Sequence, residues 1–144
     1  MLDSEIPILS IKQPWAWLIA NTFKTVENRS WSMNYRGPIY IHASKTKDTL
    51  EEDLEWVQGE FVNPEILDLK PAEFAHGCII GMCEVHKIYT PDEALNLDPD
   101  HPDSVHLDDW WGAGSFAWML RNFHHWEPEH HFEIRGKPGL FYSL

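Results

Sequence analysis

Basic residues are scarce in this sequence of 144 residues, where 11 lysines and arginines stand against 23 acids and the net charge is −12. A surface this negative repels polyanions, which excludes broad, non-specific binding to nucleic acid. No apolar run approaches the roughly 18 residues that a membrane-spanning helix needs. The first ten residues lack a basic region and a long apolar stretch. We therefore expect no export signal, no membrane partner and a cytoplasmic location.

Cysteine is also rare. The two cysteines, Cys78 and Cys83, lie five positions apart in one apolar run. Because an odd spacing places them on opposite faces of a strand, the sequence predicts no disulfide and fits a reducing compartment. Apolar surface is abundant, since 43% of the residues are hydrophobic and eight are tryptophan. This composition supplies the core of one domain spanning residues 1–144.

The few cations are concentrated near the N-terminus. Residues 10–47 hold six of the 11 basic residues and one of the 23 acids, Glu27. Residues 48–115, by contrast, hold 17 acids and two lysines. A basic island in an acidic chain predicts one small anion-accepting cleft. The six cations are Lys12, Lys24, Arg29, Arg36, Lys45 and Lys47.

Hydrophobic periodicity predicts seven short strands and two or three helices. The strands are expected at residues 8–11, 26–31, 39–43, 78–89, 115–126, 131–135 and 140–142. Helices are expected at 15–21, at 46–59 and after a capping box formed by Thr90 and Glu93. The alternation in 39–43 is typical of a half-buried strand, and the polar segment 98–109 is expected to be a loop. Strands and helices that do not alternate strictly indicate an α+β fold with a small curved sheet or barrel.

Four ordered blocks carry a family resemblance. Residues 9–16 (LSIKQPWA), 24–31 (KTVENRSW), 35–38 (YRGP) and 42–45 (HASK) resemble the ASCH (activating signal cointegrator homology) family of the PUA-like superfamily. Weaker likeness continues to the closing strands, at residues 116–118 (FAW) and 137–140 (KPGL), so that it covers essentially the whole chain as a single ASCH domain. The resemblance implies a small β-barrel of mixed sheet with flanking helices, a cleft beside the first helix, and binding of RNA or other nucleic acid.

The same resemblance supplies candidate binding residues. If the family fold holds, Lys12, Lys24, Arg29 and Lys45 converge on the region of the first helix and bind phosphate, whereas the alternative is ordinary solvated cations. A single-stranded or structured RNA end, a nucleotide or a nucleoside is the expected partner, because the flanking acids repel a duplex. The full candidate binding set is Lys12, Gln13, Trp15, Lys24, Arg29, Arg36, Ser44 and Lys45.

An enzyme remains an open alternative. One branch of the family deacylates acetylated cytidine with a lysine at the position of Lys24, but it has threonine where this sequence has Glu27; another branch has been assigned metal-dependent ribonuclease activity. Lys24, Glu27 and His42 are therefore candidate catalytic residues. Either Glu27 is a general base and Lys24 stabilises negative charge, or Lys24 is itself a base with a lowered pKa. Glu27 can equally be structural, pairing with Lys24 or Arg29, and His42 can be a structural histidine.

Three further patterns have two interpretations each. Trp110 and Trp111 are either core residues or a mobile aromatic lid over the cleft. The histidine pairs at 124–125 and 130–131 invite a zinc site, because a turn at 127–129 could bring one histidine of each pair together. Neighbours on a strand face opposite sides, however, and no cysteine pair supports the site, so we expect no metal there. A divalent cation is expected only if the protein is a ribonuclease, and no other cofactor is indicated. The acidic segment 48–73 offers a third function, protein–protein interaction.

Overall fold

Strand β4 (Cys78–Tyr89) organises the structure, a computed structural model that describes residues 2–143. The two ends of the expected 1–144 domain, Met1 and Leu144, lie outside the described residues. The other strands are β1 (Ile8–Ile11), β2 (Val26–Arg29), β3 (Gly37–Ala43), β5 (Phe116–His125), β6 (Phe132–Glu133) and β7 (Leu140–Phe141). The helices are α1 (Trp15–Ala20), α2 (Leu50–Glu60), α3 (Pro64–Leu67), α4 (Pro91–Leu95) and α5 (Ser104–Trp110), with 3-10 turns at Pro71–Glu73 and Pro128–His130.

The seven strands form one mixed sheet in the order β2-β5-β4-β3-β1-β7, and β6 also pairs with β4. β1 runs parallel to β3, and the other pairs are antiparallel. The register of β4 shifts against both neighbouring strands. Against β3 it shifts once, between Ile41 and His42, and against β5 it shifts twice. Such bulges bend and twist strands, and the sheet curls into a half-barrel. This confirms the α+β prediction, with five helices instead of two or three.

Helix α1 lies at the centre of the core because its sequence is almost entirely apolar. It follows Pro14, and its residues Ala16, Leu18, Ile19 and Ala20 are buried. The helix packs against β3, β4 and β5. The main hydrophobic cluster joins it to these strands and to β1, so the segment that immediately precedes α1 is held at the edge of the barrel where the cleft opens.

The prediction that β3 is half-buried is wrong. Tyr40 and His42 point to the face opposite Ile39 and Ile41, yet both are buried. A second apolar layer covers that face, in which Tyr40 packs with Ile8, Ile79 and Phe141. The alternating sequence could not reveal this cover, because the covering residues come from distant parts of the chain.

The loop predicted at 98–109 is also wrong, since α5 begins at Ser104. Only Leu107 of this helix is buried, so it lacks the apolar stripe from which helices are recognised. Tertiary contacts hold the segment instead. The hydroxyl of Tyr89 donates to Asp103 at 2.6 Å, and the Thr25 hydroxyl lies 2.8 Å from Nδ1 of His106.

The other local predictions are confirmed only in part. The capping box is present, with the Glu93 amide donating to the Thr90 hydroxyl at 3.1 Å and the Thr90 amide donating to the Glu93 carboxylate at 2.9 Å. Cys78 and Cys83 are free and buried, but both belong to the main hydrophobic cluster, so the prediction that they lie on opposite faces of the strand is wrong. The register shift of β4 against β3 falls between them and breaks the alternation. α2 begins at Leu50 instead of residue 46, with acids in its first turn as expected. No helix in the described residues is both long and apolar enough to cross a bilayer.

Candidate functional site

A cleft of about 1660 Å³ opens beside α1 and contains most of the residues of interest. Its walls are built from the segment around β1, from β2, from the end of β3, and from the loop 134–139 between β6 and β7. Six of the 11 basic residues of the chain line it, but only three of the 23 acids. The cations are Lys12, Lys24, Arg29, Lys45, Arg135 and Lys137, and the acids are Glu27, Asp109 and Glu133.

Lys24, Glu27 and Arg29 form a connected ionic group in this cleft. One carboxylate oxygen of Glu27 lies 3.3 Å from Nζ of Lys24, and the other lies 2.7 Å from Nη2 of Arg29. Nε of Arg29 also donates to Glu27, at 2.9 Å. The strand explains the arrangement, since residues 27 and 29 share one face of β2. Glu27 therefore orients both cations, as the structural interpretation of this residue predicts.

Lys24 is unusually enclosed for a lysine, with 5% of its surface exposed. Its ammonium donates to the carbonyl of Val26 and to Glu27. Burial lowers the pKa of Lys24, the charge and hydrogen bond of Glu27 oppose that effect, and the nearby charge of Arg29 adds to it. A lysine general base requires a pKa shifted in this direction.

Arg29 is better placed than Lys24 to meet a ligand, because one-fifth of its side chain is exposed. Its Nη2 donates to the carbonyl of Ser10 at 3.0 Å, which fixes the guanidinium against β1. The hydrogen bonds among the described residues use Nε and Nη2. The two N–H groups of Nη1 are thus left for an anion in the cleft.

His42 also borders the cleft, but it is 1% exposed and both of its ring nitrogens are engaged. Nε2 lies 2.8 Å from the carbonyl of Ile134, which can only accept, so this nitrogen carries the proton. Nδ1 then accepts from the Ser10 hydroxyl at 2.9 Å. Burial lowers the pKa of His42, and the charge of Lys45 adds to the effect. These contacts make His42 a buried support for the loop 134–139.

Two candidate binding residues do not reach the cleft. Gln13 is 1% exposed. Its side-chain Nε2 donates to the carbonyl of Ala75 at 3.1 Å, and its Oε1 accepts from the backbone N–H of Trp17 at 2.8 Å, near the start of α1. Arg36 is exposed, but its guanidinium donates to the carbonyls of Met33 and Tyr35 at 2.7 and 2.9 Å. Gln13 therefore supports the helix, and Arg36 stabilises its own turn.

The remaining candidates do line the cleft. Lys12 and Lys45 are exposed there, and the stem of Lys45 lies across Gly77, where a β-carbon would come within 2.6 Å of it. Ser44 borders the cleft as well, with its hydroxyl accepting the Thr46 amide at 3.2 Å. Since α2 begins at Leu50, Ser44 stabilises a turn and does not cap that helix.

Aromatic side chains complete the walls. Trp15 is half-buried, and its indole N–H donates to Asp53 at 3.3 Å. Trp110 stacks on Phe61 with ring centroids 4.8 Å apart, and the Trp111 N–H donates to the carbonyl of Ser115 at 2.9 Å. Both packed tryptophans form a wall of the cleft, which favours the core interpretation over a mobile lid.

The cleft residues that the sequence did not indicate include four with cationic or aromatic side chains. Arg135 and Lys137 come from the loop 134–139, His76 from the segment before β4, and Trp56 from α2. A usable signal existed for Lys137, because the Lys137–Leu140 block was part of the weaker family likeness. No local pattern indicates that residues 76, 135 and 137 meet residues 12–45, since their proximity depends on how the sheet closes.

The part of the chain that the structure describes does not bring together the side chains that a divalent metal ion needs as ligands. Among residues 2–143, no group of three or more histidine, cysteine or acidic side chains is arranged to hold a metal ion. Glu27, in the cleft, is bound on both oxygens by cations. His131 donates through Nε2 to the carbonyl of Trp126 at 3.0 Å. We therefore derive no metal-dependent step.

The chain resembles both curated sequences and solved structures. It is 32% identical over 134 residues to mouse activating signal cointegrator 1, covering 92% of this chain and 21% of that protein. The human protein of the same name is 33% identical over 78 residues, covering 54% of this chain and 13% of that protein. The chain thus spans about a fifth, or less, of the length of these relatives.

A similar fold occurs in the crystal structure of ASCH from Zymomonas mobilis, with a TM-score of 0.55 over 99% of this chain and 90% of that chain, at 13% identity. A mutant form of that protein gives a TM-score of 0.54 over 96% and 89%, again at 13% identity. The sequence model of the ASCH domain matches residues 9–133. With its motif blocks and its curled mixed sheet in agreement, this chain belongs to the ASCH domain family.

Proposed function

We propose that this protein binds the phosphates of single-stranded RNA, or of an RNA end, in the cleft beside α1. The observation that carries the proposal is the charge distribution: six of 11 cations line one cleft of a chain whose net charge is −12. Membership of the ASCH family, whose members generally bind RNA, supports the same class of ligand. Lys12, Arg29 and Lys45 also lie within the motif blocks that resemble this family.

The phosphate contacts fall to the exposed cations of the cleft. Lys12, Lys45, Arg135 and Lys137 are exposed, and Arg29 presents Nη1. Lys24 is enclosed and bound to Glu27, so its charge acts on a ligand mainly by holding the ionic group in place. Arg29 can donate to a phosphate only through Nη1, because its Nε and Nη2 groups already contact Glu27 and Ser10, whereas each lysine acts as a compact charge.

The size of the cleft favours a strand segment over a mononucleotide. Pockets for small ligands have volumes of about 300–1000 Å³, and this cleft is larger, at about 1660 Å³. All but three of the 23 acids of the chain lie outside the cleft, so a duplex that extends beyond the cleft meets an acidic surface. Because like charges repel, a flexible strand that enters the cleft alone is the better fit.

The test is a salt titration of binding to a short single-stranded RNA, measured by fluorescence anisotropy. We expect Lys12→Ala, Lys45→Ala and Lys137→Ala each to weaken binding and to lower the slope of log affinity against log salt by about 0.7 per lost phosphate contact. Matched controls of equal charge are Arg36→Ala and Lys87→Ala, because both residues are exposed and lie outside the cleft.

Control variants that weaken binding as much as the cleft variants would show that net charge, and not the cleft, determines affinity. Wild-type protein that fails to bind RNA at low salt would reject the proposal altogether. A duplex of the same length provides the comparison for the preference between strands. Tighter binding to the duplex would contradict the argument from the surrounding acids.

A second candidate function is hydrolysis of an acylated nucleoside, favoured by one observation. Burial lowers the pKa of Lys24, although the charge and hydrogen bond of Glu27 oppose this shift. In its neutral form Lys24 accepts a proton from water, and the resulting hydroxide adds to the amide carbonyl. The Lys24 ammonium then returns the proton to the amide nitrogen as the C–N bond breaks, which releases the amine and acetic acid and leaves Lys24 neutral. Incubating acetylated cytidine with the protein in EDTA tests this. Release of cytidine that is lost in Lys24→Met and kept in Lys87→Met would support it, and no release would reject it.

A further inference from the structure

Trp56 is the one tryptophan of this chain that does not pack in a hydrophobic cluster of the described residues. The other seven tryptophans, at positions 15, 17, 31, 110, 111, 118 and 126, belong to or pack against hydrophobic clusters formed by the described residues. Trp56 belongs to none of those clusters and is 52% exposed. It lies on α2 and lines the cleft that contains the cations.

Trp56 packs beside another tryptophan that leaves about half of its surface exposed. Its aromatic neighbour is Trp15, with centroids 6.2 Å apart and planes inclined by 55°. Trp15 is fixed in turn, because its N–H donates to Asp53 at 3.3 Å, one turn before Trp56 on α2. Since the two rings are inclined and not parallel, the contact is not a face-to-face stack. A π face of Trp56 therefore remains for another planar group.

We propose that Trp56 stacks on a nucleobase of the strand whose phosphates contact the cleft cations. This inference rests on the proposed function and deepens it, because it assigns recognition of the base to a residue outside the motif blocks. Exposing half of an indole to water is unfavourable, and a base supplies a flat, apolar cover. Stacking is tolerant of sequence because every base has a π face. The site therefore selects for a base next to the phosphate without selecting its identity.

Three variants separate stacking from simple apolar contact. Trp56→Ala removes the ring, Trp56→Leu keeps apolar volume without a π face, and Trp56→Phe keeps a smaller ring. The matched control is Tyr142→Ala, since Tyr142 is 46% exposed and lies outside the cleft. Thermal unfolding of each variant checks that the fold is intact.

Two probes of equal length and charge are titrated: a single-stranded RNA that contains one 2-aminopurine, and an abasic strand. We expect Trp56→Ala and Trp56→Leu to weaken RNA binding by about 5- to 150-fold, Trp56→Phe to weaken it less, and Tyr142→Ala to have no effect. The abasic strand should bind all five proteins equally. 2-Aminopurine fluorescence should be quenched by the wild type and by Trp56→Phe, but not by Trp56→Leu.

The outcomes distinguish this inference from the function on which it rests. RNA binding that depends on Lys137 but is unchanged in Trp56→Ala rejects stacking and leaves the phosphate cleft standing. Wild-type affinity in Trp56→Leu shows apolar contact without stacking, which also overturns the inference. If neither strand binds the wild type at low salt, the proposed function fails and the stacking site fails with it.

Discussion

Gly136 lies directly against the imidazole of His42: a β-carbon at this glycine would be 2.7 Å from Cε1 of the ring and 3.2 Å from its Nδ1. His42 in turn donates to the carbonyl of Ile134 at 2.8 Å. These two contacts hold the loop 134–139 on the wall of the cleft. Arg135 and Lys137 belong to this loop and line the same cleft as the other cations.

The first prediction concerns this close approach. Gly136→Ala should push the loop away from His42, because the ring is buried and cannot move far. We expect weaker RNA binding in anisotropy titrations, by an amount similar to Lys137→Ala. The control is Gly59→Ala on α2, where a β-carbon meets nothing within 4 Å. There alanine should leave binding unchanged and stabilise the fold by about 0.5–1 kcal/mol. Unaltered binding in Gly136→Ala would contradict the assigned role of the loop.

The second prediction is a pH dependence of stability that originates in His42. Burial lowers its pKa below the ordinary value of 6.5. Below pH 6.5 this histidine is therefore protonated in the unfolded chain but not in the folded protein. As the pH decreases further, the free energy of unfolding decreases until the pKa of the folded state is reached. His86 contributes in the same direction.

Urea unfolding at pH 7.5 and pH 5.5 measures this loss. We expect it to be smaller in His42→Gln than in the wild type. His130→Gln, at an exposed position in a 3-10 turn, should show the wild-type loss. Equal losses in all three proteins would place the acid sensitivity elsewhere.

Glu27 supports the third prediction. Glu27→Gln removes the partner charge of the buried Lys24, and breaking a buried ion pair costs about 3–5 kcal/mol. The pKa of Lys24 should fall further, because the carboxylate that raises it is gone. The folded state then loses its proton before the unfolded state does, so stability recovers as pH rises toward 10.5, the ordinary lysine value. Unfolding free energies at pH 7 and pH 9.5 test the recovery. If the loss of unfolding free energy in Glu27→Gln relative to the wild type is as large at pH 9.5 as at pH 7, the prediction is wrong.

Asn28 supports the fourth prediction. Its side chain donates to the carbonyl of Trp110 at 2.9 Å and accepts the Gly112 amide at 2.8 Å. Asn28→Ala should loosen the end of α5 and the tryptophan wall, seen as faster amide hydrogen exchange at residues 110–114. Asn28→Asp keeps an acceptor for Gly112 and should show a smaller effect. Unchanged exchange in the alanine variant would indicate that packing alone fixes this wall.

The sequence predicted those parts of the site that depend on short-range geometry. Glu27 and Arg29 alternate along one strand, and Lys24 precedes it closely, so their proximity follows from local periodicity. The capping box at Thr90 is equally local. The fold class came from the succession of elements and from the motif blocks.

Features that depend on closure of the sheet were not predictable in this way. Arg135 and Lys137 line the same cleft as Lys12. Their position depends on the pairing of β7 with β1 and on the contact between His42 and Ile134, and no local pattern specifies either. The burial of His42 requires a second apolar layer from distant segments. α5 was missed because its stability comes from contacts with other elements and not from its own sequence.

Ser10 contacts both sides of the cleft. Its carbonyl accepts from Arg29, and its hydroxyl contacts His42, the residue that holds Ile134. Arg29 and the C-terminal cations are therefore linked through a single residue of β1, and their effects on affinity should not add. A double-mutant cycle between Arg29 and Lys137 should give a coupling energy that disappears when Ser10 is replaced by alanine.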